Sequence, residues 1–153
     1  MNPRRRVFRS LSLLLASLAL LTGCTVFVAT VRLESLTLDV TPQANNGAPL
    51  AVDFVAVRDA ALLQRLSQFS AKQWFAEREQ YRRNAGQLLE VWSLELVPGQ
   101  FMKLSDPPLA GSQAAELLVF ASYDSPGAHR LRLAMHSRLW LRFESREMRL
   151  LDD

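Results

Sequence analysis

Hydrophobic and polar positions follow two periods along this chain, and the switches between them divide it into elements. In "LESLTLDV", residues 33 to 40, Leu36, Leu38 and Val40 alternate with Thr37 and Asp39, which predicts a half-buried strand. The next stretch, "TPQANNGAP", residues 41 to 49, is rich in Pro, Asn and Gly and predicts a loop. "LAVDFVAV", residues 50 to 57, is almost continuously apolar, so a second strand buried on both faces is expected. From Arg58 the period lengthens, and Ala61, Leu62, Leu66 and Phe69 fall at helical spacing. Ser70 and Gln73 have the spacing of a capping box, in which each side chain satisfies the other residue's backbone N–H. A second helical piece follows to about Arg83. Trp74, Phe75 and Tyr81 are expected on its inner side, with Glu77, Arg78, Glu79 and Arg82 on a solvated face.

Beyond Gly86 the period of two returns. In "QLLEVWSLEL", residues 87 to 96, Leu89, Val91, Ser93 and Glu95 take one face, and Leu88, Glu90, Trp92, Leu94 and Leu96 the other. "VPGQ" reads as a turn, "FMKL" as a short strand, and "SDPPLAGS" as a loop, because two consecutive prolines exclude a central strand. "AELLVFASY", residues 115 to 123, predicts a buried strand, and "DSPGA" a turn. In the tail, Leu131, Leu133 and Met135 alternate with Arg130, Arg132 and Ala134. After a break near His136, Leu139, Leu141 and Phe143 alternate with Arg138, Trp140 and Arg142. "REMRLL" supplies a possible last strand. About seven strands with one helical excursion after the second predict a mainly β protein, a β-sandwich.

The leader changes what the bulk charge means. The chain of 153 residues has a formal charge of +3, but Arg4, Arg5, Arg6 and Arg9 all precede the apolar run 11 to 21, "LSLLLASLALL". Without residues 1 to 23, 14 basic and 15 acidic residues remain, and nothing points to nucleic acid. A positive n-region, an 11-residue apolar core and then Thr22 and Gly23 form an export signal. A spanning helix needs about 20 apolar residues. "LTGC", Leu21 to Cys24, resembles the lipobox of bacterial lipoproteins. The resemblance implies cleavage before Cys24, thioether lipidation of its sulfur and acylation of the new amino terminus. Three acyl chains exceed the two signals that stable anchoring requires. Cys24 is the sole cysteine, so no disulfide can form within the chain. Thr25 stands where an Asp would mark inner-membrane retention, so an outer-membrane address facing the periplasm is expected. The expected organisation is a removed signal peptide (1–23), a lipidated N-terminus and tether (24–32), and the β-sandwich domain (33–153). The tether's "TVFVATVR" is apolar enough to join the first strand instead.

Chemistry is sparse. His129 and His136, seven residues apart on extended chain, point to opposite faces and make no metal site by themselves. There is no nucleophile elbow, phosphate-binding loop or dinucleotide fingerprint. Glu144 and Glu147 lie among Arg142, Arg146 and Arg149, so ion pairing explains them better than catalysis. No enzyme activity, no cofactor and no small-molecule substrate are expected. Arg130, Arg132, Arg138 and Arg142 form either a basic stripe on one sheet face or the solvated exterior of a sandwich. Trp140 shares that outward set, either as an interface anchor or as a residue covered by the helix.

The order of these features resembles the TssJ-type outer-membrane lipoproteins of the type VI secretion system. The resemblance is carried by the lipobox, the alternating first strand, the loop Asn45 to Pro49 and the apolar strand Leu50 to Val57 running into Arg58-Asp59. Pro98-Gly99 and "VFASYDSPGAHRLRL" continue it. Thr41-Pro42 replaces the family's Asn-Pro, and Leu131-Arg132 stands where its Trp-Arg is expected. The resemblance implies a transthyretin-like β-sandwich with an added helix, docking onto the periplasmic domain of a TssM-like inner-membrane protein. The family's contact loop corresponds here to Gln43, Ala44, Asn45, Asn46, Gly47 and Ala48. Two other readings remain: a pilotin escorting a secretin, which a groove around Trp74 and Phe75 would favour, and a periplasmic small-ligand-binding protein or enzyme, which a deep polar pocket would favour.

Overall fold

Alternation and continuous apolarity sort the strands into two kinds of environment. The computed structural model describes residues 29–133 and 136–151. The leader and Cys24 lie outside the described residues, as do Ala134 and Met135 of the sixth expected strand. Strands β2 (Ser35–Val40), β5 (Phe101–Ser105), β9 (Arg138–Phe143) and β10 (Met148–Leu151) form one sheet in the order β10-β9-β2-β5. Strands β3 (Leu50–Val57), β4 (Leu89–Leu96), β7 (Glu116–Ala121) and β8 (Arg130–Leu133) form a second, in the order β4-β3-β7-β8. A two-residue strand β1 (Ala29–Thr30) pairs with β6 (Gln113–Ala114) beside them. The apolar end of the tether therefore enters the sandwich, and Val31 and Leu33 are buried.

Among the described residues all pairings are antiparallel except β2 with β9, where Leu36, Leu38 and Val40 align with Leu139, Leu141 and Phe143. These six side chains, with Leu50, Val52 and Phe54 of β3 and Leu117, Val119 and Ala121 of β7, fill the space between the sheets. Trp92 of β4 stacks on Phe54 with ring centroids 5.1 Å apart, on the face that the alternation of β4 predicts. Two sheets packed in this way over one apolar core make a β-sandwich.

The second sheet also carries a helical layer. Helix α1 (Ala60–Leu66) is capped by Asp59, whose Oδ1 accepts from the Leu62 N–H at 2.8 Å. Helix α2 (Ala71–Ala85) begins with the expected capping box, with both the Ser70 and Gln73 halves present. The helices cover the outer side of β3 and β7, where Val55, Val57, Leu118 and Phe120 meet Leu66, Ala71 and Trp74. Double coverage is why β3 reads as continuously apolar, whereas β2 and β9, whose outer faces no described element covers, alternate.

One expectation changes in three dimensions, and two open alternatives are decided. Arg78 is not simply part of a solvated face. Its Nη1 lies 3.1 Å from an Oδ2 of Asp53, a carboxylate fully buried on the helix side of β3. The arginine row does not form one stripe, because Arg130 and Arg132 are on β8 of the second sheet while Arg138 and Arg142 are on β9 of the first. Trp140 is not covered by the helices, which pack on the other sheet. It is 38% exposed.

Candidate functional site

Loop 41–49 leaves β2 at one end of the sandwich, where three other connections converge. The Thr41 N–H and hydroxyl both donate to the Phe143 carbonyl, at 3.0 and 3.1 Å. In the β4–β5 turn, the Gly99 N–H donates to the Val40 carbonyl at 3.0 Å. In the β7–β8 connection, the Tyr123 hydroxyl donates to the Glu147 carbonyl of the β9–β10 turn at 2.7 Å. Burial pushes that hydroxyl's pKa above its ordinary range. The Ser125 hydroxyl reaches the Arg146 carbonyl of the same turn, and a His129 ring nitrogen lies 2.7 Å from the Ser125 carbonyl. The four loops are thus braced against each other.

Inside this frame Ala44–Gly47 forms a short 3-10 turn with Asn45 and Asn46 both left-handed, at φ of 47° and 54°. Asparagine accepts that conformation better than other non-glycine residues do. Gly47 continues it at φ 84°. The six expected contact residues then separate. Ala44 is fully buried and Asn45 only 2% exposed. The Asn45 Oδ1 accepts from the Asp124 N–H at 2.8 Å, and its Nδ2 donates to the Pro49 carbonyl at 3.2 Å. Its amide is therefore already satisfied and holds the loop to its neighbour. Gln43, Asn46 and Gly47 are exposed and Ala48 is half-buried. The side chains of Gln43 and Asn46 make no hydrogen bond among the described residues, so each offers donors and an acceptor outward.

The other candidates stay apart from this end or are occupied structurally. Glu144 and Glu147 pair with Arg149, and Glu144 also lies 3.9 Å from Arg142. His136 is exposed on the opposite end of β9 from the loops. Among the described residues no three His, Cys, Asp or Glu side chains gather as metal ligands. Trp74 and Phe75 offer no groove: Trp74 is fully buried against Phe120, and the Arg78 guanidinium lies 5.0 Å from the centre of the Phe75 ring. A groove of about 360 Å³ does run between α1 and α2, past Leu62, Tyr81 and Leu88, but its Asp59 serves as the cap of α1.

Asp53 went unremarked in the sequence, although a carboxylate inside "LAVDFVAV" is a signal. A charge on a doubly buried strand needs partners, and Trp74 and Arg78 stand one helical turn apart on α2. The Trp74 Nε1 donates to the Asp53 Oδ2 at 2.9 Å, and the Arg78 Nη1 donates to both carboxylate oxygens.

Comparison with known proteins agrees with this architecture. The T6SS lipoprotein TssJ1 from Pseudomonas aeruginosa superposes with a TM-score of 0.56 at 16% identity, over 76% of this chain and 92% of that one. Serratia marcescens Lip, a membrane-bound component of the type VI secretion system, gives 0.54 at 18% identity, over 78% and 95%. The chain has the TssJ-type fold. A structure of a type VI membrane complex also matches, with a TM-score of 0.60 at 14% identity over 80% of this chain and all of that one. No protein-family model matches the sequence, and no curated protein does. The TssJ-type sandwich carries its helical insertion after β3, the second of the strands expected from the sequence, and its exposed loop 41–49 leaves the strand before it.

Proposed function

We propose that this chain is an outer-membrane lipoprotein facing the periplasm, which anchors a type VI secretion membrane complex by binding a TssM-like periplasmic domain. The observation that carries this reading is the TssJ-type sandwich downstream of an export leader ending in Leu21-Thr22-Gly23-Cys24. Acylated Cys24 holds the chain in the bilayer, and the braced loop end presents Gln43, Asn46 and Gly47 to the partner. Ala44 and Asn45 act from within, as the loop's internal support. A preformed loop loses little conformational entropy on binding, which suits a stable docking contact.

Two outcomes are expected. Cys24→Ser removes the acyl acceptor, so the protein shifts from the membrane to the soluble fraction of cells; retention in membranes sinks the lipid anchor. Gln43→Ala combined with Asn46→Gly removes the outward amides without straining the left-handed backbone. Capture of a purified TssM-like periplasmic domain should weaken about tenfold, as the loss of a few interfacial hydrogen bonds implies. Undiminished capture would remove the loop from the interface.

A further inference from the structure

The outer faces of the two sheets differ. Helices α1 and α2 cover the second sheet, while no described element covers the β10-β9-β2-β5 sheet. That open face carries a shallow concavity of about 610 Å³ with a distinct composition. Trp140 aligns with Leu151 on one side and Thr37 on the other, and Lys103 aligns with Thr37 from β5. Phe101, 63% exposed, stands two residues from Lys103 on the same side of β5. Arg138 precedes Trp140 on the same side of β9. Arg142 and Arg149 on this face have carboxylate partners in Asp39, Glu144 and Glu147. Lys103 and Arg138 have no ion-pair partner among the described residues. A tryptophan and a phenylalanine on one concavity, two strands apart and accompanied by unneutralised cations, is the composition that settles at a bilayer–water boundary.

The position of the anchor identifies the occupant. Ala29 is five positions beyond Cys24, a reach of at most about 18 Å. Strand β1 lies at the end where β2 begins, and there Ser35 aligns with Arg138 and Ser105. Loop 41–49 is at the other end. A lipidated Cys24 would hold the Arg138 end within a few tens of ångströms of phospholipid headgroups at all times. The encounter is then intramolecular, and weak electrostatic attraction suffices.

We propose that this open face is a second membrane contact, on which Lys103 and Arg138 meet the phosphates of anionic phospholipid and Trp140 and Phe101 enter the headgroup boundary. This geometry rests on the proposed lipidation of Cys24. Lying on that face, the domain would present the loop end along the membrane rather than straight away from it.

The test uses the chain from Thr25 onward, which keeps every described core residue, Val31 to Met148. It is titrated at low ionic strength with vesicles of 60:40 phosphatidylethanolamine and phosphatidylglycerol carrying brominated acyl chains, up to millimolar lipid. Tryptophan quenching is expected, absent in the Trp140→Phe variant and in phosphatidylcholine vesicles. Lys103→Glu with Arg138→Glu should raise the half-saturating lipid concentration at least about tenfold. Both substitutions are at exposed positions, and circular dichroism checks the fold of each variant. Absence of quenching, or quenching indifferent to the charge reversals, overturns the proposal and leaves an acidic protein as the face's partner. Because this probe lacks Cys24, its failure is separate from that of the anchor, which membrane fractionation of Cys24→Ser reads on its own.

Discussion

Trp74→Ala is expected to destabilise the domain by about 3–5 kcal/mol, the cost typical of truncating a buried aromatic residue. The side chain is wholly buried between α2 and the second sheet. It stacks on Phe120 at a centroid distance of 5.1 Å with the planes 14° apart, and it lies 6.4 Å from Tyr81. Its removal opens a large cavity in the small core that holds the helical layer, and it also takes the Nε1 donor from Asp53. Trp74→Phe separates the two effects, because it keeps an aromatic ring and loses the hydrogen bond. About 1–3 kcal/mol is expected there. Denaturant unfolding measures both. A cost for Trp74→Ala under about 1.5 kcal/mol would mean that the helices contribute little to the fold.

Arg78→Ala is expected to cost about 3 kcal/mol at neutral pH, at the low end of the range for breaking a buried ion pair. Asp53 is fully buried and Arg78 is the cation nearest to it, at 3.1 Å. Without the guanidinium the carboxylate retains the single Trp74 hydrogen bond and has no counter-charge. The low end applies because the Arg78 side chain is 31% exposed, so water screens part of the interaction. The partner substitution Asp53→Asn makes the argument specific. In the Arg78→Ala background it removes the stranded charge, and the two changes together should cost less than the sum of the single changes by more than about 1 kcal/mol. Additive costs would show that Arg78 acts by packing over Phe75, not through the carboxylate.

The same two residues show where sequence reasoning stops. The helix that bears Trp74 and Arg78 is legible locally, since its period, its Ser70 cap and its Gln73 partner all fall within one or two turns. Arg78 reads as solvated by that local logic. Its partner is 25 residues away on a strand, and nothing in helical spacing reports that. The loop behaves likewise. Its Pro, Asn and Gly content announces a turn, but the division between inward Asn45 and outward Asn46 depends on the Asp124 N–H, 79 residues along the chain.

By itself, the sequence determined the strands of both four-stranded sheets with their faces, and the capped helical insertion; it also proposes the export leader before the lone Cys24. These follow from periodicity, caps and short motifs, which act over a few residues. Continuous apolarity in Leu50–Val57 even announced burial on both faces. Only the tertiary structure decided which strands share a sheet. It thereby divided the arginine row between two surfaces, left Trp140 on an uncovered face and turned Asn45 inward. Sheet membership arises from pairings between distant segments, such as Thr41 with Phe143 across 102 positions. An alternating strand can satisfy its buried face equally well in either sheet.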